Sequence, residues 1–346
     1  TDCVPSKALV AVADAARAAV DSASLGVLVA DRPLDRGDVS LNLGAVNARI
    51  LDLAHSQSED IAARLERDGV RVIDGRGVLV GPSKVLVRET SGERLLDAGT
   101  VLLATGARPR VLASAAPDGE RILTWEQVWG LDAVPEHLIV VGSGVTGAEF
   151  ASAYRGLGAE VTLVSSRDQV LPGRDQDAAA VLEGVFARRG IAVMPRARAT
   201  SAQRVRDEVV VTLADGTQVV GSHCLMAVGS VPNTEGIGLV ASGVGIDRGG
   251  FVEVDRVSRT TARGVYAAGD CTGVMMLASV AAMQLRIGMW HALGDAVAPL
   301  DLDTVASNIF TTPEIATVGL SQADVDGGRI NADTVMLPLA TNPRAK

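Results

Sequence analysis

The chain has 346 residues, of which 47% are hydrophobic and 37 are glycine, so it is long enough for two or three domains with buried cores. Its 32 basic and 41 acidic residues give a net charge of −9, and without a basic cluster this argues against nucleic acid or an anionic membrane as partner. The most apolar stretch, residues 273–290, contains Gln284 and Arg286 and therefore predicts a buried helix, not a membrane span.

The cysteines and histidines exclude several kinds of site. Cys3, Cys224 and Cys271 are far apart in sequence, which excludes a disulfide scaffold or a CxxC zinc module. This usage indicates a reducing compartment, so we expect a cytoplasmic protein. The four histidines show no ligand spacing, and no metal site is expected. The N-terminus has neither a signal-peptide pattern nor an initiator methionine, which suggests a fragment.

The first third of the chain predicts two helices followed by short strands. Alanine-rich residues 5–20 predict the first helix. Residues 39–68 predict the second, which Gly69 terminates. Apolar runs between glycine and serine turns predict strands at 70–73, 77–80, 84–88 and 100–104. Residues 109–135 indicate a connection, with a short helix, between two domains.

The clearest motif lies at residues 138–150, where an apolar strand opens onto Gly142-x-Gly144-x-x-Gly147 and a helix that begins with Val145 and Thr146. One glycine makes the tight turn, one lets a pyrophosphate approach the backbone, and one lets the helix pack closely on the strand. A second strand is predicted at 160–164, as a βαβ unit requires. The pattern predicts a dinucleotide site in the middle of the chain.

The end of that second strand indicates which nucleotide binds. An acidic residue is usual there for the ribose hydroxyls of NAD, whereas this chain has Ser165, Ser166 and Arg167. Two hydroxyls and a guanidinium suit a 2′-phosphate, so NADPH is favoured over NADH. The alternative for Arg167 is a solvated loop residue without a ligand.

The remaining elements continue the alternation of strands and helices. A helix is predicted at 177–189, and strands at 191–193, 209–213 and 223–228, with a hairpin turn at Asp215-Gly216. A buried strand at 265–268 ends in Gly269-Asp270 and precedes a helix at 277–293, which suggests a second nucleotide. Threonine-rich runs at 309–311 and 315–318 predict further strands.

Taken together, these pieces resemble the pyridine nucleotide-disulfide oxidoreductases, specifically the lipoamide dehydrogenase, glutathione reductase and mercuric reductase group. The similar segments occur in the family's order along the whole chain, and they are CVPSK at 3–7, ATGARP at 104–109, the loop at 142–149, AVGSVPN at 227–233, residues 261–270 and FTTPEIA at 310–316.

The resemblance implies an α/β fold with two Rossmann-like, three-layer nucleotide-binding domains. The NAD(P) domain is inserted in the FAD domain, and an α+β dimerisation domain begins near the end of the chain. The implied parts are 1–117 and 234–300 for FAD, 118–233 for NAD(P) and 301–346 for dimerisation. A homodimer is therefore expected for the full-length parent protein.

The resemblance also implies roles for individual residues in an enzyme that uses FAD and NADPH or NADH. Lys7 and Glu149 would meet beside the flavin, close to Cys3. Asp270 would accept hydrogen bonds from the ribityl chain, and the helix at Leu277 and Ala278 would point its positive end at the pyrimidine oxygens. The other implied cofactor-binding residues are Ala104, Thr105, Gly106, Gly229 and Gly269.

The chain departs from the family pattern near its start. The family's first redox cysteine would lie ahead of Thr1, and the first FAD Gly-x-Gly-x-x-Gly is absent. Asp2 precedes Cys3 where a glycine is usual, and an acidic neighbour opposes formation of a thiolate.

These departures, with the serines at 165 and 166, resemble the lipoamide-dehydrogenase-like branch that lacks the redox disulfide. They predict an NAD(P)H oxidoreductase that passes electrons from FAD to a small quinone. The alternatives are a dihydrolipoyl dehydrogenase or other disulfide reductase, and a catalytically inert nucleotide-binding fragment.

Overall fold

A computed structural model of the chain describes residues 3–342. Asp2 lies outside the described residues, and its expected effect on the Cys3 thiol stays a prediction. The described helices are α1 (Val4–Asp21), α2 (Leu43–Arg67), α3 (Val145–Leu157), α4 (Gln176–Arg188), α5 (Ala278–Ala292) and α6 (Gln322–Asp326).

The described strands fall into six small sheets. They are β1 (Arg76–Leu79), β2 (Lys84–Glu89), β3 (Gly92–Asp97), β4 (Val101–Leu103), β5 (Ala107–Pro109), β6 (Ile122–Thr124), β7 (His137–Val141), β8 (Glu160–Val164), β9 (Ile191–Met194), β10 (Ala199–Val205), β11 (Glu208–Leu213), β12 (Gln218–Gly221), β13 (His223–Met226), β14 (Ser230–Pro232), β15 (Val265–Ala267), β16 (Ala306–Ile309) and β17 (Ile315–Val318).

A five-stranded parallel sheet forms the middle of the molecule, with strand order β6-β13-β7-β8-β9. Alternate residues of β7 face opposite sides: Leu138 and Val140 pack with helices α1 and α3, whereas Ile139 and Val141 pack against the antiparallel sheet β10-β11-β12. The unit therefore has three layers, and its strands are nearly continuous apolar runs because both faces are covered.

A second α/β unit surrounds this one in sequence. Strand β4 pairs in parallel with β15, although the whole five-stranded sheet lies between them along the chain. The two connections between the units run side by side as the antiparallel pair β5 and β14. The expected fold class, with one Rossmann-like unit inserted in another, is confirmed. The antiparallel pair β16 and β17 follows near the C-terminus.

Most sequence-based elements are confirmed within a few residues, and the differences have local causes. Helix α2 begins at Leu43 instead of residue 39 because the Asn42 side chain accepts a hydrogen bond from the Ala45 N–H at 2.9 Å and caps the helix there. The strand predicted at 309–311 shares only Ile309 with β16, which begins at Ala306 and ends at Ile309.

The predicted strand at 70–73 is wrong. No described segment pairs with these residues, and Val70 and Val72 are 49% and 65% exposed, so an apolar run alone does not make a strand here. The sequence patterns do not predict several of the described strands, among them the three-residue β6, the six-residue β3 and the seven-residue β10. Strand β6 was assigned to the connection at 109–135, but it forms an edge of the five-stranded sheet because Ile122 and Leu123 are buried against it.

No helix among residues 3–342 has both the length and the apolar character needed to cross a membrane.

Candidate active site

The loop after β7 contains three glycines. The fold requires two of them, and the third faces open space. Gly142 has φ +113°, and an added Cβ would overlap the carbonyl oxygen of Ala227. A Cβ at Gly147 would overlap the carbonyl oxygen of Gly142. Gly144 has an ordinary φ of −68°, and a Cβ added there would have no atom within 4 Å. Of the three, only Gly144 therefore leaves room for a ligand.

Helix α3 begins directly after this glycine. Val145 and Thr146 belong to its first turn, Gly144 occupies the N-cap position, and neither a side-chain cap nor an acidic residue is present there. The amide groups of this end are thus oriented for an anion, and the helix dipole adds a partial positive charge. The loop fits the pyrophosphate of a nicotinamide nucleotide.

The three residues expected to contact the adenosine ribose or its 2′-phosphate lie in the loop after β8, but they differ in exposure. Ser165 is fully buried; its hydroxyl lies 2.7 Å from that of Ser143 and accepts the Arg167 N–H at 3.1 Å. Its hydroxyl is therefore used inside the fold to join this loop to the glycine loop. Ser166 and Arg167 are exposed at the same edge and remain available to a ligand.

Lys7 and Glu149 are brought together, although 142 residues separate them. The Lys7 Nζ lies 2.7 Å from the Glu149 Oε2, because α1 packs against α3 through Leu9 and Ala13. The glutamate side chain is only 4% exposed, while the lysine side chain keeps 33% of its surface accessible. A buried carboxylate is thus compensated by a cation that still reaches the surface. Cys3, at the start of α1, is exposed and forms no disulfide.

Phe310 completes this ion pair and was not identified from the sequence. Its backbone N–H donates to the Glu149 Oε1 at 2.9 Å, and its ring centroid lies 5.1 Å from the Lys7 Nζ. The next residues are held by α3 and the end of α4, because Ser152 accepts the Thr312 N–H at 3.0 Å and Arg189 donates to the Thr312 carbonyl at 3.2 Å. The FTTPE motif was the available signal.

A second turn lies at the carboxyl ends of β4 and β15, which are adjacent because the Ala268 N–H donates to the Leu103 carbonyl at 2.9 Å. Gly269 has φ +81°, and its N–H donates to the Gln284 Oε1 at 2.9 Å. Gln284 is buried and also donates to the Thr272 hydroxyl at 3.2 Å. This glutamine of α5, which the sequence marked only as a polar residue in an apolar helix, holds the turn that presents Asp270.

The groups around Asp270 fit the flavin nucleotide. Burial raises the pKa of the half-buried Asp270 carboxyl. A hydrogen-bond donor such as a ribityl hydroxyl would therefore stabilise the carboxylate. Helix α5 begins at Ala278 with Leu277 at its N-cap, and neither a side-chain cap nor an acidic residue occupies that end. An uncapped, positive helix end suits pyrimidine oxygens.

The segment after β4 lies beside the Asp270 turn, because β4 and β15 are parallel neighbours. Gly106 has φ +68° and an open side where a Cβ would be, and its carbonyl accepts the Asn233 N–H at 2.9 Å. The Asn233 side chain donates to the Thr105 carbonyl at 3.0 Å, next to Ala104. Gly229, after β13, has φ +93° and is likewise open. These turns are shaped by backbone contacts and leave space above them.

Replacing Asp270 with asparagine should stabilise the flavin-free protein. Because burial raises the pKa of the carboxyl, the folded state binds more protons than the unfolded state, and stability falls as pH rises through that raised pKa and stays lower above it. The neutral asparagine side chain does not suffer this loss. Urea unfolding between pH 4 and 8 should show a flatter profile and a higher midpoint at pH 7. The exposed Asp295→Asn is the control, and an unchanged pH profile in Asp270→Asn contradicts the expectation.

Comparison with known proteins agrees with this geometry. A family model described as pyridine nucleotide-disulphide oxidoreductase matches residues 1–284. NAD(P)H dehydrogenase (quinone) of Mycobacterium tuberculosis strain H37Rv is 52% identical over 352 residues, covering 100% of this chain and 70% of that protein. Dihydrolipoyl dehydrogenase of Zymomonas mobilis is 32% identical over 349 residues, covering 99% of this chain and 73% of that protein.

Solved structures show the same fold. The crystal structure of LpdA from Mycobacterium tuberculosis matches with a TM-score of 0.91 at 51% identity, covering 99% of this chain and 74% of that chain. RclA from Escherichia coli, described as an HOCl-induced flavoprotein disulfide reductase, matches with a TM-score of 0.83 at 22% identity, covering 99% and 73%, which is a likeness of fold alone. With a family model over most of its length and a 52% identical relative along all of it, this chain belongs to the pyridine nucleotide-disulphide oxidoreductase family.

Proposed function

We propose that this protein is a flavoenzyme that oxidises NAD(P)H, with NADPH preferred, and passes the electrons to a small quinone. The observation that carries the proposal is the 2.7 Å ion pair between Lys7 of α1 and Glu149 of α3, the helix that begins directly after the glycine loop. Helix α3 thus connects the candidate nucleotide loop to a buried carboxylate whose cation still reaches the surface. Bound FAD would supply the hydride-accepting and electron-donating chemistry between them.

Each part of the site has its own task in this proposal. Gly144, with Val145 and Thr146, holds the pyrophosphate of NAD(P)H at the N-terminal end of α3, and Gly142 and Gly147 give the loop its shape. Their arrangement aligns the nicotinamide without a side chain in its path. Ser166 and Arg167 contact the 2′-phosphate, and Ser165 positions them through Ser143.

Lys7 provides a positive charge beside the flavin ring, and Glu149 fixes the orientation of that ammonium group. The open lysine surface, 33% of the side chain, supports this direction of contact, because the glutamate is enclosed and cannot itself reach a ligand. A preorganised cation of this kind stabilises negative charge that develops during electron transfer.

The flavin would be held by the turns of the outer α/β unit. Asp270 accepts hydrogen bonds from the ribityl hydroxyls, with Gly269 giving the turn its shape. Leu277 and Ala278 present the positive end of α5, and the Ala104, Thr105, Gly106 turn and Gly229 complete the lining. We assign residues 1–117 and 234–300 to the FAD domain, 118–233 to the NAD(P) domain and 301–346 to the start of the dimerisation domain.

The choice of acceptor rests on the degree of similarity. The relative named NAD(P)H dehydrogenase (quinone) is 52% identical, whereas those named dihydrolipoyl dehydrogenase are 30–34% identical. Disulfide reduction is the second candidate because Cys3 lies one helical turn before Lys7, with the Lys7 N–H donating to the Cys3 carbonyl at 3.2 Å. An inert nucleotide-binding fragment is the third candidate, and flavin absorbance of the purified protein would count against it.

We further propose a homodimer in the cytoplasm for the intact protein. The apolar side chains of Val335, Met336 and Leu337 are 90%, 67% and 77% exposed near the C-terminal end, which supports a further interface there. The cysteines Cys3, Cys224 and Cys271 are all free thiols, which supports a reducing compartment.

The acceptor is tested by Cys3→Ser in the intact protein. If electrons leave directly to a quinone, the variant keeps most of its NAD(P)H-dependent quinone reduction, within about twofold, because no thiol takes part. Quinone and lipoamide turnover should be measured side by side, with the buried Cys271→Ser as the control. Strong lipoamide reduction that Cys3→Ser abolishes would establish the disulfide reductase instead.

A further inference from the structure

Three neighbouring loops lie at the carboxyl ends of the strands of the five-stranded sheet. Strands β7, β8 and β9 are parallel neighbours, so their carboxyl ends lie side by side. The glycine loop follows β7, residues 165–168 follow β8, and residues 195–197 follow β9. A nucleotide with its pyrophosphate on the first loop extends its adenosine ribose towards the second and third loops.

Backbone hydrogen bonds join the second and third loops. The Arg196 N–H donates to the Arg167 carbonyl at 2.8 Å, and the Ala197 N–H donates to the Ser165 carbonyl at 2.7 Å. Arg196 therefore lies directly beside Arg167, although the two residues are far apart in sequence. Its backbone φ of +53° is one that residues other than glycine rarely adopt. The turn would favour glycine, yet it carries a long cation.

The charges of this edge also favour an anion. Arg167 has no side-chain partner among the described residues, and Arg196 lies 3.9 Å from Asp168 in an exposed pair. The two side chains of that pair are 79% and 85% exposed, so their attraction is weak and easily replaced. A doubly charged phosphate offers a guanidinium a stronger, bidentate partner.

We propose that Arg196 is a second specificity-determining residue, which with Arg167 clamps the 2′-phosphate of NADPH from the ends of β9 and β8. Asp168 is its partner in the absence of nucleotide and opposes binding slightly. The proposal rests on the NADPH preference proposed above. It adds that this preference is divided between two loops, of which only the first was visible in the sequence.

The test measures binding of adenosine fragments by calorimetry, which needs no turnover. Arg196→Gly suits the positive φ and removes only the side chain. This variant of the whole chain should bind 2′,5′-ADP about tenfold more weakly, as for loss of a hydrogen bond between charged groups, and bind 5′-AMP within about twofold of wild type. Asp168→Asn should bind 2′,5′-ADP more tightly than wild type.

Arg206→Gly is the matched control, since Arg206 is also exposed and has φ +56° but lies at the β10–β11 turn. It should leave both affinities unchanged. If Arg167→Ala weakens 2′,5′-ADP and Arg196→Gly does not, the Arg196 proposal is overturned and the NADPH preference stands. If wild type binds 2′,5′-ADP no better than 5′-AMP, which lacks only the 2′-phosphate, the NADPH preference fails, and the clamp fails with it.

Discussion

Replacing Gly144 with valine is expected to abolish NAD(P)H binding while the protein stays folded and keeps its flavin. Gly144 has an ordinary φ of −68° and nothing within 4 Å of a Cβ, so valine costs the fold little. In the proposed binding mode the pyrophosphate needs the same space, and the branched side chain would occupy it. We expect at least about 100-fold weaker nucleotide binding, or about 2.7 kcal/mol.

Two kinds of control make this experiment specific. Gly130→Val is the matched control, because Gly130 is exposed, has open space at its Cβ position and lies in the same α/β unit away from the nucleotide edge. Gly142→Ala should instead reduce the yield of folded protein, since its Cβ overlaps the Ala227 carbonyl. Fluorescence titration with NADPH that is unchanged in Gly144→Val would rule out this loop as the pyrophosphate site.

Replacing Lys7 with methionine is expected to damage both stability and flavin reduction. The variant leaves the Glu149 carboxylate, which is 4% exposed, without its cation, and loss of a charged hydrogen-bond partner in such a partly buried pair costs about 2 kcal/mol. Loss of the positive charge beside the flavin should slow its reduction by NADPH about 100-fold. Urea unfolding and stopped-flow absorbance measure the two effects separately.

The double variant Lys7→Met/Glu149→Leu distinguishes a structural pair from a functional one. Removing both charges eliminates the unpaired carboxylate, so much of the lost stability should return. Flavin reduction should stay slow because the cation is still missing. If the double variant recovers stability and rate together, the pair serves the fold alone, and the role proposed for Lys7 is wrong.

Sequence patterns identified what is encoded locally. The βαβ unit from β7 to β8 follows from an apolar strand, three glycines and a helical period, and the structure has its two strands within one residue at each end. The contact between Lys7 and Glu149 followed only from resemblance to a family, since nothing local connects residues so far apart.

What the sequence could not reveal depends on tertiary contacts. Strand β6 has three residues and becomes a strand because β13 lies beside it. Phe310 and Arg196 are ordinary residues until the fold brings them to Glu149 and Arg167. The failed prediction at 70–73 is the converse case, an apolar run with strand character beside which no described strand lies to pair with it.

The contacts of Arg189 and Ser152 with Thr312 limit how nucleotide exchange can occur. They fasten the unit built on the five-stranded sheet, to which we assign NAD(P)H binding, to the segment that contacts the ion pair. Opening the molecule by rotating whole domains would break this junction and withdraw the Phe310 N–H from Glu149 at the same time. We therefore expect NADPH to enter and NADP to leave through local movement of surface loops, with the charged pair assembled throughout each cycle.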